Sequence, residues 1–207
     1  IEILRGFICF SKDEKQSAKI LAGYHQFFAV RKAVNSVAEA TQTDGKGGVF
    51  WHTQGSGKSL SMVFFAKRLQ EAVSSPTIVI LTDRNDLDGQ LYRQFAKCAD
   101  FLRQTPIQAE NRKHLGDLLR EREANGIFFT TMQKFEESEE PLSTRRNIVV
   151  IADEAHRSQY GLTEKIDSEG RVKVGAARRV RNSLPNATYI GFTRTPISQK
   201  DRSTREV

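Results

Sequence analysis

Lys58 and Ser59 close the run Val49-Phe50-Trp51-His52-Thr53-Gln54-Gly55-Ser56-Gly57-Lys58-Ser59, in which an apolar stretch empties into a glycine-punctuated turn and then a helix-compatible segment. Those residue types at that spacing make a phosphate cradle. Gly55 and Gly57 permit backbone conformations that a Cβ forbids, so successive N–H groups can point at an anion seated on the helix N-terminus. Lys58 offers a cation to the β- and γ-phosphates of a nucleotide, Ser59 offers a hydroxyl to Mg²⁺, and Thr53 and Ser56 complete the loop. The general pattern G-x-x-x-x-G-K-[ST] has glycine where this chain has His52, so the match lapses at its first position while the end nearest the phosphates is intact.

Asp153 and Glu154 supply the other half of such a site. Residues 147–152 are a short, largely apolar run suited to a strand buried on both faces, and Asp153-Glu154-Ala155-His156 stands at its carboxyl end. Ligands of open α/β sheets bind outside the carboxyl ends of the strands, so the two motifs are expected to open into one crevice. There Asp153 is placed to hold Mg²⁺ through water, and Glu154 to orient or deprotonate the attacking water. An unpaired carboxylate is costly to bury, so acids that interrupt an apolar strand end call for a metal or a polar group facing them. Other chemistries lack their residues: neither Cys9 nor Cys98 lies near a pair of histidines at zinc spacing, and no G-x-S-x-G nucleophile elbow occurs.

These motifs need a scaffold that brings strand ends together. Apolar runs at 48–51, 77–81, 126–130, 148–152 and 188–192 read as parallel strands, and helical stretches near 58–73, 86–98, 111–124 and 174–184 alternate with them. Such alternation predicts an α/β fold, a doubly wound, mainly parallel sheet flanked by helices. Upstream, Ile20, Tyr24, Phe27, Val30, Val34 and Val37 recur at steps of three and four and predict one amphipathic helix from about residue 17 to 40, with a polar linker over 41–48. The chain therefore divides into an N-terminal helix and linker (1–45), a nucleotide-binding lobe (46–197) and a charged tail (198–207). Residues 163–173, rich in charge and holding Gly170, read as an exposed loop or hairpin.

With the phosphate loop and Asp-Glu-Ala-His in hand, the chain resembles the first RecA-like lobe of superfamily 2 helicases and translocases. Thr82-Asp83-Arg84-Asn85-Asp86-Leu87-Asp88 looks like motif Ia, Thr130-Thr131-Met132-Gln133-Lys134-Phe135 like the next strand-end motif that touches the nucleic-acid backbone, and Gly191-Phe192-Thr193-Arg194-Thr195-Pro196 like motif III. The wording His-Thr-Gln-Gly-Ser-Gly-Lys-Ser, Thr-Asp-Arg-Asn-Asp-Leu-Asp and Asp-Glu-Ala-His-Arg-Ser-Gln-Tyr is most similar to the motor (R) subunit of type I restriction-modification enzymes, over roughly residues 15 to 197. His52 is usual in that family. Arg194 departs from it, since the position usually carries a small residue such as glycine.

The resemblance implies a set of roles. Gln26, in Tyr24-His25-Gln26, would read adenine. His156 would sense loss of the γ-phosphate, and Thr193 and Thr195 would couple the ATP site to DNA. Thr82, Arg84, Thr131 and Gln133, at strand ends, would grip the backbone of duplex DNA without reading bases, as movement along any sequence requires. The cofactors implied are ATP and Mg²⁺. The partners are duplex DNA, the modification and specificity subunits, and a second motor lobe and nuclease domain of a longer parent chain. Because motors of this kind complete the ATP site with an arginine from the second lobe, the isolated lobe is expected to be nearly inactive. Two alternatives stay open: another superfamily 2 motor acting on DNA or RNA, and a nucleotide-gated nucleic-acid-binding module without turnover. Glu154 argues against the latter, since a pure gate can dispense with a residue that activates water.

Composition agrees with this reading without carrying it. A net charge of +7 over 207 residues suits a polyanionic partner. The cluster Arg178, Arg179, Arg181 suits a solvated helix side as well as a nucleic-acid contact, and Arg145 and Arg146 sit just before the Asp-Glu-Ala-His strand. There is no apolar run long enough to span a bilayer and no secretory signal pattern, and two cysteines far apart in sequence fit a reducing compartment. The expected location is the cytoplasm.

Overall fold

The computed structural model describes residues 2–13, 16–53, 55–82, 89–135, 140–155, 165–166, 172–173, 175–194, 198–199 and 202–203. In chain order the elements are α1 (Glu2–Gly6), β1 (Ile8–Lys12), β2 (Ser17–Leu21), α2 (Tyr24–Ala40), β3 (Lys46–Trp51), α3 (Lys58–Ala72), β4 (Thr77–Thr82), α4 (Gln90–Lys97), α5 (Ala99–Leu102), β5 (Ile107–Gln108), α6 (Arg112–Glu121), β6 (Ile127–Thr131), β7 (Ile148–Asp153), β8 (Lys165–Ile166), β9 (Val172–Lys173), α7 (Ala176–Ser183) and β10 (Thr188–Thr193). Six of the strands form one sheet in the order β3-β10-β7-β4-β6-β5, and every neighbouring pair is parallel.

Alternation along each strand explains why both faces of this sheet are covered. Ile78, Ile80, Ile127, Phe129, Val149, Ile151, Ile190 and Phe192 enter one apolar core with residues of α2, α3 and α4. Val79, Leu81, Phe128, Ile148, Val150 and Tyr189, which point the other way, enter a second core with residues of α6 and α7. Successive side chains of a strand point to opposite faces, so strands apolar at every position require helices on both sides. The doubly wound α/β fold expected from the apolar runs is the fold observed.

Three local readings differ from expectation. Residues 17–21 are not the first turns of α2: Ser17–Leu21 is a strand, paired antiparallel with Ile8–Lys12. The helix begins only after Gly23, which holds an extended backbone at φ −65°, ψ 157° and starts α2 at Tyr24. The strand β3 begins at Lys46, inside the stretch read as a linker. There Gly47 lets α2 approach the sheet, since a Cβ would meet Val37 Cγ2 at 2.7 Å and the Tyr189 carbonyl oxygen at 2.8 Å. The hairpin reading of 163–173 is met by the antiparallel pairing of β8 with β9. Among the described residues no helix is long and apolar enough to cross a membrane.

Because β3, β10 and β7 are neighbours, the segments leaving their carboxyl ends share one rim of the sheet. Phe192 pairs with Asp153 on one side of β10 and Thr193 with Trp51 on the other.

Candidate nucleotide site

The loop from β3 to α3 is held from beneath by His52 and Gln26. His52 is buried and its ring stacks on Phe50 with centroids 5.0 Å apart. Its Nδ1 meets the Ser56 hydroxyl and its Nε2 meets Ser61 Oγ at 2.8 Å, so one imidazole ties the loop to the first turn of α3. Gln26, 7% exposed, reaches the same place from α2. Its Nε2 donates to the Gly57 carbonyl at 3.2 Å and to Ser61 Oγ at 3.0 Å, while its Oε1 accepts from the Gly23 amide at 2.9 Å. Gly57 sits at φ 80°, ψ 38°, and a Cβ there would lie 2.9 Å from Gln26 Nε2, so both conformation and space demand glycine. Burial pushes the His52 pKa below its ordinary value, helped by the neighbouring charges of His25 and Lys58, which disfavours a charged ring in this place.

Lys58, the first residue of α3, crosses from this loop to the end of β7. Its Nζ lies 2.6 Å from Asp153 Oδ1 and also contacts Glu154 Oε1, with all three side chains largely withdrawn from solvent. Arg194, immediately beyond β10, places Nε 3.0 Å from the same Glu154 Oε1. Two anions thus face two cations. Burial pushes the Asp153 carboxyl up from its usual range; Lys58 opposes that shift and Glu154 adds to it. Glu154 itself stands at φ 48°, a conformation that costs a non-glycine residue roughly 1–3 kcal/mol and that clusters at functional sites. Its amide N–H donates to Asp153 Oδ1 at 2.9 Å, which helps hold that conformation.

The profile of the SWI2/SNF2 ATPase family matches residues 25–207. The chain belongs to the SWI2/SNF2 ATPase family. It is 50% identical over 217 residues to a type I restriction enzyme HindI endonuclease subunit of Haemophilus influenzae, covering all of this chain and 20% of that protein. It is 39% identical over 216 residues to a putative type I restriction enzyme MjaIXP endonuclease subunit of Methanocaldococcus jannaschii, covering 99% of this chain and 18% of that protein. The chain therefore spans about a fifth of the length of these relatives. Among solved structures, the Sulfolobus solfataricus SWI2/SNF2 ATPase core in complex with dsDNA superposes with a TM-score of 0.59 at 15% identity, covering 98% of this chain and 36% of that one. A nuclease-deletion mutant of the type ISP restriction-modification enzyme LlaGI, solved with a DNA substrate mimic, superposes with a TM-score of 0.54 at 15% identity, covering 86% and 18%. Both likenesses bear on the fold.

Within this SWI2/SNF2 lobe the residues singled out from sequence fall into three groups. Gln26, Ser56, Gly57, Lys58, Asp153 and Glu154 are joined by the contacts above; Gly55, at φ 79°, and Thr53 are exposed on the same loop, and Ser59 follows Lys58 in α3. Thr193 is buried at the end of β10, where its carbonyl accepts from the His52 amide at 2.9 Å. At the strand ends farther along the rim, Gln133 is exposed, Thr131 is half-buried, and Thr82 is buried with its hydroxyl donating to the Thr130 carbonyl at 3.4 Å. Arg84, His156 and Thr195 lie outside the described residues.

Sequence reading missed Ser61, and it gave His52 and Arg194 no structural task. For His52 the signal was available: a buried imidazole beside two serines at spacings of four and nine can bridge loop and helix, as glycine cannot. Trp51 was missed too. It is 62% exposed, and its Nε1 donates to the Arg194 carbonyl at 2.9 Å.

Proposed function

We propose that this lobe binds Mg-ATP and hydrolyses it to drive translocation on duplex DNA, as the motor part of a type I restriction enzyme subunit. The observation that carries this reading is Lys58 bridged to Asp153 and Glu154 at the rim shared by β3, β7 and β10. When the terminal phosphates of ATP draw Lys58 to themselves, Asp153 loses its cation while remaining buried, and a divalent cation fits the gap. Ser59 and Asp153 would hold Mg²⁺, whose charge neutralises the phosphates. Lys58 binds the β- and γ-phosphates, the amides around Gly55 and Gly57 cradle them, and Thr53 and Ser56 shape the mouth of the loop. Glu154, released from Lys58, orients the attacking water and takes its proton. Gln26 would meet the adenine by exchanging its bond to Gly57, so that base recognition and loop shape move together.

On the DNA side, Thr82, Arg84, Thr131 and Gln133 are proposed to contact the phosphate backbone, with His156, Thr193 and Thr195 carrying the state of the ATP site to them. Work of this kind belongs in the cytoplasm, in a complex with modification and specificity subunits, beside a second motor lobe and a nuclease domain. ATP turnover by the full-length subunit in that complex, measured as phosphate release with no nucleic acid, with duplex DNA and with RNA, tests the assignment. Stimulation by duplex DNA of any sequence is expected. Stimulation by RNA alone would assign the chain to another kind of motor, and nucleotide binding without turnover would make it a gate. Residues 1–207 alone should hydrolyse ATP hardly at all, since an arginine supplied from a second lobe contributes on the order of a thousandfold.

A further inference from the structure

We propose that Arg194 is a positioning residue that holds Glu154 back from the attacking water until a DNA phosphate takes its guanidinium. The inference rests on the ATPase reading above and adds to it a restraint that DNA releases. Arg194 follows β10 directly, and β10 lies between the strand that ends in Asp153 and the strand that ends in Trp51. Its main chain is fixed there by the Trp51 indole N–H on its carbonyl, and its side chain reaches Glu154 Oε1 at 3.0 Å.

Exposure separates the two partners. The Glu154 side chain is 12% exposed and the Arg194 side chain 45% exposed, so the carboxylate is confined while the guanidinium stands at the open rim. Among the described residues, Lys58 and Arg194 are cationic contacts of Glu154. Arrival of ATP removes the first, because the phosphates compete for Lys58. The second then becomes the stronger claim on the carboxylate, and ATP does nothing to relieve it. Only another anion can. A nucleic-acid phosphate suits a guanidinium, which binds phosphate through paired N–H donors, and the arginine is the exposed member of the pair. ATP and DNA would then each remove one cation from Glu154, and hydrolysis would be fastest with both.

The restraint is small by construction. A half-exposed ion pair is worth at most about 1 kcal/mol, which shifts an equilibrium roughly threefold to fivefold. The test uses the full-length subunit in its assembled complex, comparing the parent with Arg194→Ala and Arg194→Lys by steady-state ATP turnover with and without saturating duplex DNA. Expected for Arg194→Ala is a DNA-free kcat raised roughly threefold to fivefold, a KM for ATP changed less than about twofold, and an unchanged DNA-saturated kcat. Arg194→Lys should restore most of the restraint, which a merely structural role for the arginine would not require. Should the alanine variant fail to fold, Arg194→Gln, similar in length and uncharged, gives the same reading. A DNA-free kcat that stays level or falls in the uncharged variants, with KM unchanged, overturns the proposal. Absence of ATP turnover in the parent complex, with and without DNA, would instead overturn the ATPase reading beneath it.

Discussion

At the amino ends of the sheet strands, Asn147 donates its amide to the Ser75 and Glu123 carbonyls at 2.9 and 3.1 Å, Arg145 donates to the Arg122 carbonyl at 3.0 Å, and Asn186 donates to the Thr144 carbonyl at 2.7 Å. At the carboxyl ends, Lys58, Asp153, Glu154 and Arg194 are answered largely by one another. Both ends hold polar groups against the same apolar sheet. The difference lies in what can be exchanged: a main-chain carbonyl is part of the fold and cannot leave, whereas a mobile cation can trade one anion for another. The amino end is closed by bonds whose loss loosens the structure, and the carboxyl end is balanced by charges whose exchange is the chemistry.

If that contrast is right, substitutions at the carboxyl end should show first in ATP binding and turnover. The largest effect is expected for Glu154→Gln, whose amide keeps the shape of the side chain but cannot accept a proton. It should lower kcat by roughly a hundredfold or more while Mg-ATP still binds. Single-turnover hydrolysis and ATP titration on the same preparation decide this, and parental turnover would remove Glu154 from its role. Lys58→Ala comes next. Deleting a charge-assisted contact to the terminal phosphates should weaken ATP binding by about tenfold to a hundredfold, read by calorimetric titration.

The amino end should answer in the opposite way. Asn147→Ala removes two hydrogen bonds to main-chain carbonyls, at a cost of about 1–2 kcal/mol, equivalent to about 3–6 °C in unfolding midpoint. KM for ATP should not move. A variant that kept its midpoint but lost ATP affinity would dissolve the distinction between the two ends.

What could be read from the sequence follows the same division between local pattern and distant contact. Four long strands, β4, β6, β7 and β10, were legible because a strand buried on both faces must be largely apolar, and 148–152 or 78–81 can hardly be anything else, whereas the edge strand β3 showed only its apolar end at 48–51. The hairpin ahead of α2 was not, because Ile20 stands four residues before Tyr24 and extends the helical spacing by chance; Gly23, a poor helix residue, was the available sign of the boundary. β5, two residues at the sheet edge, is too short to leave a pattern. In the site, Lys58 and Asp153 were visible because their motifs are contiguous. The brace formed by Gln26, Gly57 and Ser61, and the pairing of Arg194 with Glu154, join residues some thirty to forty positions apart and depend on the order of strands in the sheet.

His52 belongs to both sides of the comparison, since it braces the fold through hydrogen bonds, like the groups of the amino end, but is buried beneath the charged loop of the other. Its pKa lies below the ordinary 6.5, with burial the chief cause. In the window between that ordinary value and the lower folded value, the unfolded chain has taken up a proton at His52 and the folded chain has not. Unfolding is therefore accompanied by proton uptake, and stability falls as pH drops through the window, then levels below it. Protonation within the fold would also leave the ring with two donors and no acceptor between the two serine hydroxyls. In His52→Gln, which keeps a donor and an acceptor but cannot titrate, this part of the slope should vanish while the contributions of other groups remain. The difference in unfolding midpoint between parent and variant, followed from about pH 7.5 to about pH 5, isolates it. A difference that stays constant over that range would mean that His52 is as free to charge in the fold as outside it, and that the loop is not braced by a neutral ring.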